Sequence, residues 1–419
     1  MPALRSYVLN VAEKAKEASR VIAGLKASEK KRLLLEVARL IGKERNAIER
    51  ANKTDRRNAQ KAGLAPAFID RLTFNSKRIQ EMQAGVRAVA NLEDPVGKNL
   101  ARWRRPNGLR ISKVTVPLGV IFIIYESRPN VTSECASLCL KSGNAVILRG
   151  GSEAFHSNQI LARIYQKALG RFHLPKEAVS LVTNLDREAI DLFLKREKEI
   201  NLVIPRGGEK LIRRVAQHSR IPVIKHYKGV CHLYVDEKAD LKKAVRIAFN
   251  AKCQRPGTCN ALETLLVHRK IAGRFLPLLG RELQKSGCEV RADSPARRIL
   301  VWAKPAKESD FGQEFLDKIL AIRVVPGLGE ALLHIQNFGS AHTDGIITEN
   351  KKAARRFLES VDSSSVMWNA STRFSDGFQY GFGAEIGIST DKIHARGPMG
   401  LEGLVSYKYV VEGQGQIRE

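Results

Sequence analysis

Val120-Ile-Phe-Ile-Ile124 is an unbroken apolar run, rich in β-branched residues, with Gly119 before it and Tyr125 after it. An apolar run without alternation predicts a strand covered on both faces. Similar runs follow at Ala145-Val-Ile-Leu148, Val179-Ser-Leu-Val182 and Leu202-Val-Ile204. Helix-like stretches separate them at Ser133 to Leu140, Ala154 to Leu169 and Glu188 to Lys198. Continuous strands with helical crossovers predict a parallel sheet sandwiched by helices, a doubly wound nucleotide-binding architecture of class α/β. No GxGxxG fingerprint is present. Instead Ile204-Pro-Arg-Gly-Gly208 closes one strand and opens a helix over Glu209 to His218, offering free backbone N–H groups to a phosphate. A plain strand-to-helix turn explains the same residues equally well.

A second alternation lies downstream. Cys231-His-Leu-Tyr-Val235, Leu262 to Val267, Ile299-Leu-Val301 and Ile322-Arg-Val-Val325 read as strands, with helices over Leu241 to Ala251 and Gly273 to Lys285. Upstream, Ser6 to Arg87 has helical spacing, with Leu33, Leu34, Val37, Leu40 and Ile41 on one face. Ala101 to Val116 reads as a hairpin, in which Asn107-Gly108 is a two-residue turn signal and Leu109, Ile111 and Val114 furnish apolar side chains. The tail, Phe382 to Tyr409-Val-Val411, mixes glycine turns with β-prone residues.

At 419 residues the chain is long enough for two or three domains, and 43% apolar with 27% charged residues describes a soluble globular protein. Its longest apolar run, Leu118 to Tyr125, is too short to span a bilayer, and the N-terminus lacks a signal-peptide pattern. A cytoplasmic location is expected. The six cysteines lack a CxxC pair or a nearby histidine cluster, so neither a metal site nor a disulfide framework is expected. A formal charge of +28 raises nucleic-acid binding through counterion release. Yet the cations are interspersed with Glu along helices such as Lys30 to Arg50, which predicts a solvated basic surface attractive to small anions.

The chemistry concentrates in Ala251-Lys-Cys-Gln-Arg-Pro-Gly-Thr-Cys-Asn260, where Cys253 and Cys259 flank Arg255 and a Pro-Gly turn. A thiol beside a cation becomes a nucleophile as its thiolate is stabilised. Buried, inert thiols are the competing reading. A second stretch, Tyr125-Glu-Ser-Arg-Pro-Asn-Val131, follows the first sheet strand at the edge where open α/β sheets bind ligands. There Asn130 is either a ligand-facing amide or a simple turn residue after Pro129.

Gln254-Arg-Pro-Gly-Thr-Cys-Asn260 with Glu263-Thr-Leu-Leu-Val267 resembles the active-site segment of gamma-glutamyl phosphate reductases, members of the aldehyde dehydrogenase superfamily. Tyr125 to Val131, Val361-Asp-Ser-Ser-Ser365 with Asn369 to Phe374, and His394 to Leu401 resemble further segments of that family. The resemblance implies an aldehyde dehydrogenase-like fold: two doubly wound Rossmann-like domains plus a small β oligomerisation element. It divides the chain into an NADPH-binding domain (1–100 and 117–229), an oligomerisation hairpin and tail (101–116 and 382–419) and a catalytic domain (230–381). It also implies that the tail pairs with the hairpin of a partner subunit in a homo-oligomer, a dimer or a tetramer.

By the same resemblance Cys259 is the nucleophile and Asn130 aims its amide at the oxyanion. Arg149 stands where many superfamily members carry Lys. With Ser152, Glu153 and Arg206 it would hold NADPH, its forked guanidinium favouring the extra phosphate. Gly207 and Gly208 match the pyrophosphate turn, and Glu314 matches the glutamate that grips the nicotinamide ribose. Arg128, Arg255, Arg373 and Arg396 are the expected partners of the substrate's anionic groups. One departure is informative. Hydrolytic relatives carry a Glu-Leu-Gly-Gly segment whose glutamate activates water, whereas this chain has Val223-Ile-Lys-His-Tyr-Lys-Gly229. The resemblance therefore implies NADPH-dependent reduction of an acyl phosphate, L-glutamyl 5-phosphate, through a cysteine thioester in proline biosynthesis, with no nucleic acid or membrane partner.

Overall fold

The computed structural model describes residues 2–126 and 128–418. Ser127, inside the Tyr125 to Val131 stretch, lies outside the described residues. The chain forms two units: the first runs to Lys225 and takes back Phe382–Gly387 and the chain from Met399, and the second comprises His226–Gly381 and Ile388–Pro398.

The first unit opens with five helices: α1 (Pro2–Ala23), α2 (Ala27–Lys43), α3 (Arg45–Lys61), α4 (Pro66–Leu72) and α5 (Ser76–Asn91). In α2 the apolar stripe Leu33, Leu34, Val37, Leu40 and Ile41 is wholly buried, as its spacing requires. Strands β1 (Asn99–Arg104), β2 (Arg110–Pro117) and β3 (Val120–Tyr125) precede α6 (Asn130–Lys141), β4 (Ala145–Arg149), α7 (Phe155–Arg171), β5 (Val179–Leu181), α8 (Arg187–Phe193), β6 (Leu202–Arg206) and α9 (Glu209–His218). β5-β4-β3-β6 form a parallel sheet, and every β3 residue is buried. Phe122 of β3 meets Phe193 of α8 at 5.1 Å between rings, while Val8, Ala12 and Ala15 of α1 join the same core. The helix expected to reach Lys198 stops at Phe193, because the chain breaks into successive turns there: Lys195 N–H donates to Leu192 and Arg196 N–H to Phe193.

Two expectations about the small sheet are corrected. The hairpin joining β1 and β2 has a three-residue loop, since Arg105 N–H still pairs with Leu109 O at 2.8 Å. Pro106, Asn107 and Gly108 turn the chain, with Gly108 at φ 92°, a left-handed conformation that suits glycine. The C-terminal strand Val405–Glu412 pairs antiparallel with β2 of its own chain, from Val405 opposite Pro117 to Glu412 opposite Arg110. Local anchoring is the reason: Leu401 and Leu404 are buried, and Asn144 Nδ2 donates to Leu404 O at 2.8 Å, delivering the tail beside Pro117. The resulting order β1, β2, C-terminal strand leaves Trp103, Tyr407, Tyr409 and Val411 exposed.

The second unit contains β7 (Cys231–Val235), α10 (Leu241–Cys253), β8 (Leu262–His268), α11 (Arg269–Lys285), β9 (Glu289–Ala292), α12 (Ser294–Arg297), β10 (Lys304–Pro305), β11 (Ile319–Val325), α13 (Leu328–Phe338), β12 (Thr343–Ile347), α14 (Lys351–Ser360) and β13 (Ser365–Trp368). All seven strands run parallel in the order β10-β9-β11-β8-β7-β12-β13. The strand expected at Ile299 to Val301 is a turn, with Leu300 buried and Val301 81% exposed. The strands on either side of it are β9, which ends where Asp293 Oδ1 accepts the Ala296 N–H and caps α12, and the short β10. The segment bearing Cys259 joins α10 to β8, so it lies at the amino-terminal ends of β7 and β8.

Candidate active site

The Cys259 segment of the second unit is braced at both ends by one ion pair. Lys252, in the last turn of α10, and Glu263, in β8, are both fully buried, with Nζ to Oε2 at 2.6 Å. Glu263 Oε1 also accepts the Leu316 N–H at 3.2 Å, where Leu316 sits in the left-handed region at φ 55°. Burial pushes the Glu263 carboxyl up to about 7, against the downward pull of Lys252. Within the segment, Thr258 Oγ1 donates to Arg255 O at 2.9 Å and Asn260 Nδ2 donates to Ser375 O at 2.8 Å.

Cys259 is half-buried. Its carbonyl oxygen accepts the Cys231 thiol at 3.2 Å, and burial drives Cys231 well above its ordinary pKa, which keeps it a protonated donor. On another side lies Gly229, where a β-carbon would come within 1.9 Å of the same oxygen. The Gly229 N–H donates to Glu314 Oε1 at 2.9 Å. Glu314 thus stands one residue removed from the Cys259 backbone. Cys231, Gly229 and the Lys252–Glu263 pair were not foreseen as site residues. For the pair, the only sequence signal was a Lys and a Glu inside otherwise apolar flanks.

The arginines differ in what they touch. Arg373 Nε donates to Gln254 Oε1 at 2.9 Å, and its charge is felt by Cys259 and Cys231. Burial and the neighbouring Arg255 guanidinium press Arg373 below its ordinary pKa. Two cations that act on one another favour an anion nearby. Arg396, by contrast, is committed to Asp362, with Nη1 to Oδ1 at 2.8 Å and Nη2 to the backbone carbonyl at 2.9 Å. Lys392 pairs with the same carboxylate.

In the first unit a cavity of about 630 Å³ opens beyond the carboxyl ends of β3 and β4. Arg149, Ser152 and Glu153 line it, as do Glu126, Arg187 and Lys210. Arg149 is buried, donating to Gly150 O and, at 3.0 Å, to Leu185 O, while its Nε has no partner among the described residues. Burial lowers its pKa. Gly207 and Gly208 begin α9, and the Gly208 N–H donates to Glu126 Oε1 at 2.9 Å. A carboxylate therefore rests where a helix N-terminus accepts an anion. Arg206 is not among the cavity's lining residues, and its guanidinium lies against Gly387. Arg187 and Lys210 were missed, since exposed cations at helix starts look like ordinary surface charge.

Asn130 occupies the first turn of α6, after Pro129, and its Nδ2 donates to Glu134 Oε1 at 2.7 Å. Arg128 is exposed just before it. Cys135 and Cys139 of α6 are buried and raised in pKa by that burial, which excludes them as nucleophiles. Among the described residues no three His, Cys, Asp or Glu side chains gather as a metal site, and no helix is long and apolar enough to cross a membrane.

A parallel-sheet unit with an anion-accepting cavity and a second α/β unit with a braced cysteine loop define an aldehyde dehydrogenase-like oxidoreductase. The model of the aldehyde dehydrogenase family matches residues 3–294. A gamma-glutamyl phosphate reductase of Carboxydothermus hydrogenoformans is 54% identical, over 98% of this chain and 99% of its own length. That of Moorella thermoacetica is 52% identical over 97% of each. The crystal structure of the Thermotoga maritima gamma-glutamyl phosphate reductase superposes with a TM-score of 0.97 at 46% identity, covering 98% of this chain and 100% of that one. The chain belongs to the gamma-glutamyl phosphate reductases. The family to which they belong works with a nicotinamide cofactor.

Proposed function

We propose that the protein reduces L-glutamyl 5-phosphate to L-glutamate 5-semialdehyde with NADPH, supplying proline biosynthesis in the cytoplasm. The Cys259 sulfur attacks the acyl carbon, the bond to phosphate oxygen breaks, and phosphate leaves a thioester. Asn130 donates its amide N–H to the oxyanion after exchanging its bond to Glu134. Arg373 and Arg255 hold the departing phosphate or the α-carboxylate, Arg128 assists, and Arg396 chiefly holds Asp362. The observation that carries this reading is the grouping of Arg373, held by Gln254 at 2.9 Å, with Arg255 and Cys259, the two positive charges being only partly offset by Asp376. The segment 223–229 offers cations in place of a water-activating glutamate, which suits a thioester that exchanges with phosphate.

The first unit's cavity is the proposed NADPH site. Arg149, with its unpartnered Nε, would meet the 2′-phosphate, and Ser152 and Glu153 the ribose. The N-terminus of α9 at Gly207 and Gly208 would take the pyrophosphate once Glu126 releases it. Glu314 is assigned to the nicotinamide ribose, supported by its bond to Gly229 next to Cys259. When bound, the cofactor supplies the hydride that reduces the acyl carbon. In this division the first unit is the NADPH-binding domain and the second the catalytic domain. The exposed aromatic face of the small sheet is the proposed contact between copies.

Phosphate-dependent reduction of NADP+ by glutamate semialdehyde tests the reading in reverse. Cys259→Ser should abolish it while NADPH still binds. Arg373→Ala should raise the KM for phosphate far more than Arg396→Ala does. Retained turnover in Cys259→Ser would overturn the assignment.

A further inference from the structure

Cys253 is the one cysteine of the nucleophile stretch that the proposed reaction leaves unused. It ends α10, half-buried, and packs against the core cluster that contains Cys288, the residue before β9. Cys253 Sγ lies 3.5 Å from Ser286 Oγ, two residues before Cys288, and the two thiols act on one another electrostatically. Lys318 Nζ, donating to Ser286 O at 2.8 Å, stands close by, and Lys252 is the preceding residue. Cys288 itself is 4% exposed and its Sγ also lies 3.6 Å from Glu289 O. Two thiols from separate segments thus share one cluster, with the Ser286 hydroxyl and the Lys318 ammonium beside them and the charge of Lys252 acting from its pair with Glu263. This is the arrangement of an attacking thiolate backed by a resolving thiol.

We propose that Cys253 and Cys288 are a hydroperoxide-reactive pair that closes to an intramolecular disulfide. The Cys253 sulfur attacks one peroxide oxygen, the O–O bond breaks, and hydroxide leaves as a first water. The Cys288 sulfur then attacks the resulting sulfenic acid, the S–O bond breaks, and a second water leaves. The two sulfurs lose two electrons, which reduce one hydrogen peroxide to two waters with the two thiol protons. Electrostatics agree with the geometry: the neighbouring Cys288 thiol, then Ser286 and the two lysines, draw Cys253 down to about 6 against the opposing effect of burial, and Cys288 is raised. Oxidant reaching this segment is thereby diverted into a reversible bond one residue before Gln254, the partner of Arg373.

The test uses the full-length Cys259→Ser protein, so that the other half-buried thiol of the stretch is absent. After hydrogen peroxide treatment its intact mass should fall by about 2 Da, with a Cys253–Cys288 linked peptide, and dithiothreitol should restore it. Adding Cys288→Ser should instead leave a dimedone-trappable sulfenic acid on Cys253, in protein whose circular dichroism is unchanged. Adding Cys253→Ser should abolish both products. An unchanged mass, a disulfide through any other cysteine, or dimedone on a residue other than Cys253 would overturn the proposal.

Discussion

Gly229 and Cys259 are in backbone contact so close that no side chain fits between them, a β-carbon on Gly229 meeting the Cys259 carbonyl oxygen, carbon and Cα at 1.9, 2.6 and 2.7 Å. Because the obstacle is backbone, relief requires the Cys259 segment itself to move. Gly229→Ala is expected to cost about 1–3 kcal/mol in stability and to lower kcat at least tenfold. Urea unfolding and steady-state kinetics on the same preparation check it, and near-normal kcat would mean that the segment tolerates displacement.

Glu126 is expected to act against the cofactor. Its carboxylate accepts the Gly208 N–H at the start of α9 and so holds the place of an incoming anion. Glu126→Gln removes that charge, so NADPH should bind several-fold more tightly, while the free protein loses about 0.3–1 kcal/mol from the helix terminus. Titration of nicotinamide fluorescence measures the first effect and thermal denaturation the second. Weaker NADPH binding would show that Glu126 helps the cofactor.

Acid should unfold the second unit early. Burial holds His334 and His342 down to about 3, and neither Nε2 has a partner among the described residues. In the unfolded chain both histidines take up protons near pH 6.5, whereas the folded protein resists until about 3. Stability is therefore full above pH 6.5 and falls as pH drops, by about 1.4 kcal/mol per pH unit for each histidine at most. Urea midpoints at pH 7.5 and 5 should differ accordingly. His342→Asn, which does not titrate, should flatten the slope.

Breaking the Lys252–Glu263 pair should be far worse than removing it. Glu263→Gln leaves a buried ammonium unpaired and is expected to cost about 3–5 kcal/mol, whereas Lys252→Met with Glu263→Leu should recover most of that loss. Denaturation of the single and double variants measures the difference. Activity should follow stability only in part, because the pair also fixes the two ends of the Cys259 segment.

The two parallel sheets were legible because apolar strands such as Val120 to Ile124 and Cys231 to Val235 have one structural use. Glu289–Ala292 escaped notice for the opposite reason: it is short and half polar, while Ile299 to Val301 is apolar but plugs the core from a turn, with Leu300 buried and Ile299 packed beside it. The three-residue hairpin loop follows from the register of Arg105 and Leu109, a tertiary quantity that Asn107-Gly108 cannot report. Motif residues such as Cys259 and Arg149 could be picked out by their neighbours in sequence. The residues around them, Gly229, Glu126, Cys231 and Cys288, come from distant segments and are joined to them only by folding.

Since Cys259 hangs from the amino ends of β7 and β8, the opposite rim of that sheet, where Val235, His268, Val325 and Ile347 end their strands, carries none of the groups assigned to the reaction. Descendants of this chain can lengthen, shorten or decorate those connections without disturbing the sulfur. Diversification and chemistry are thereby kept on separate shores of the same layer.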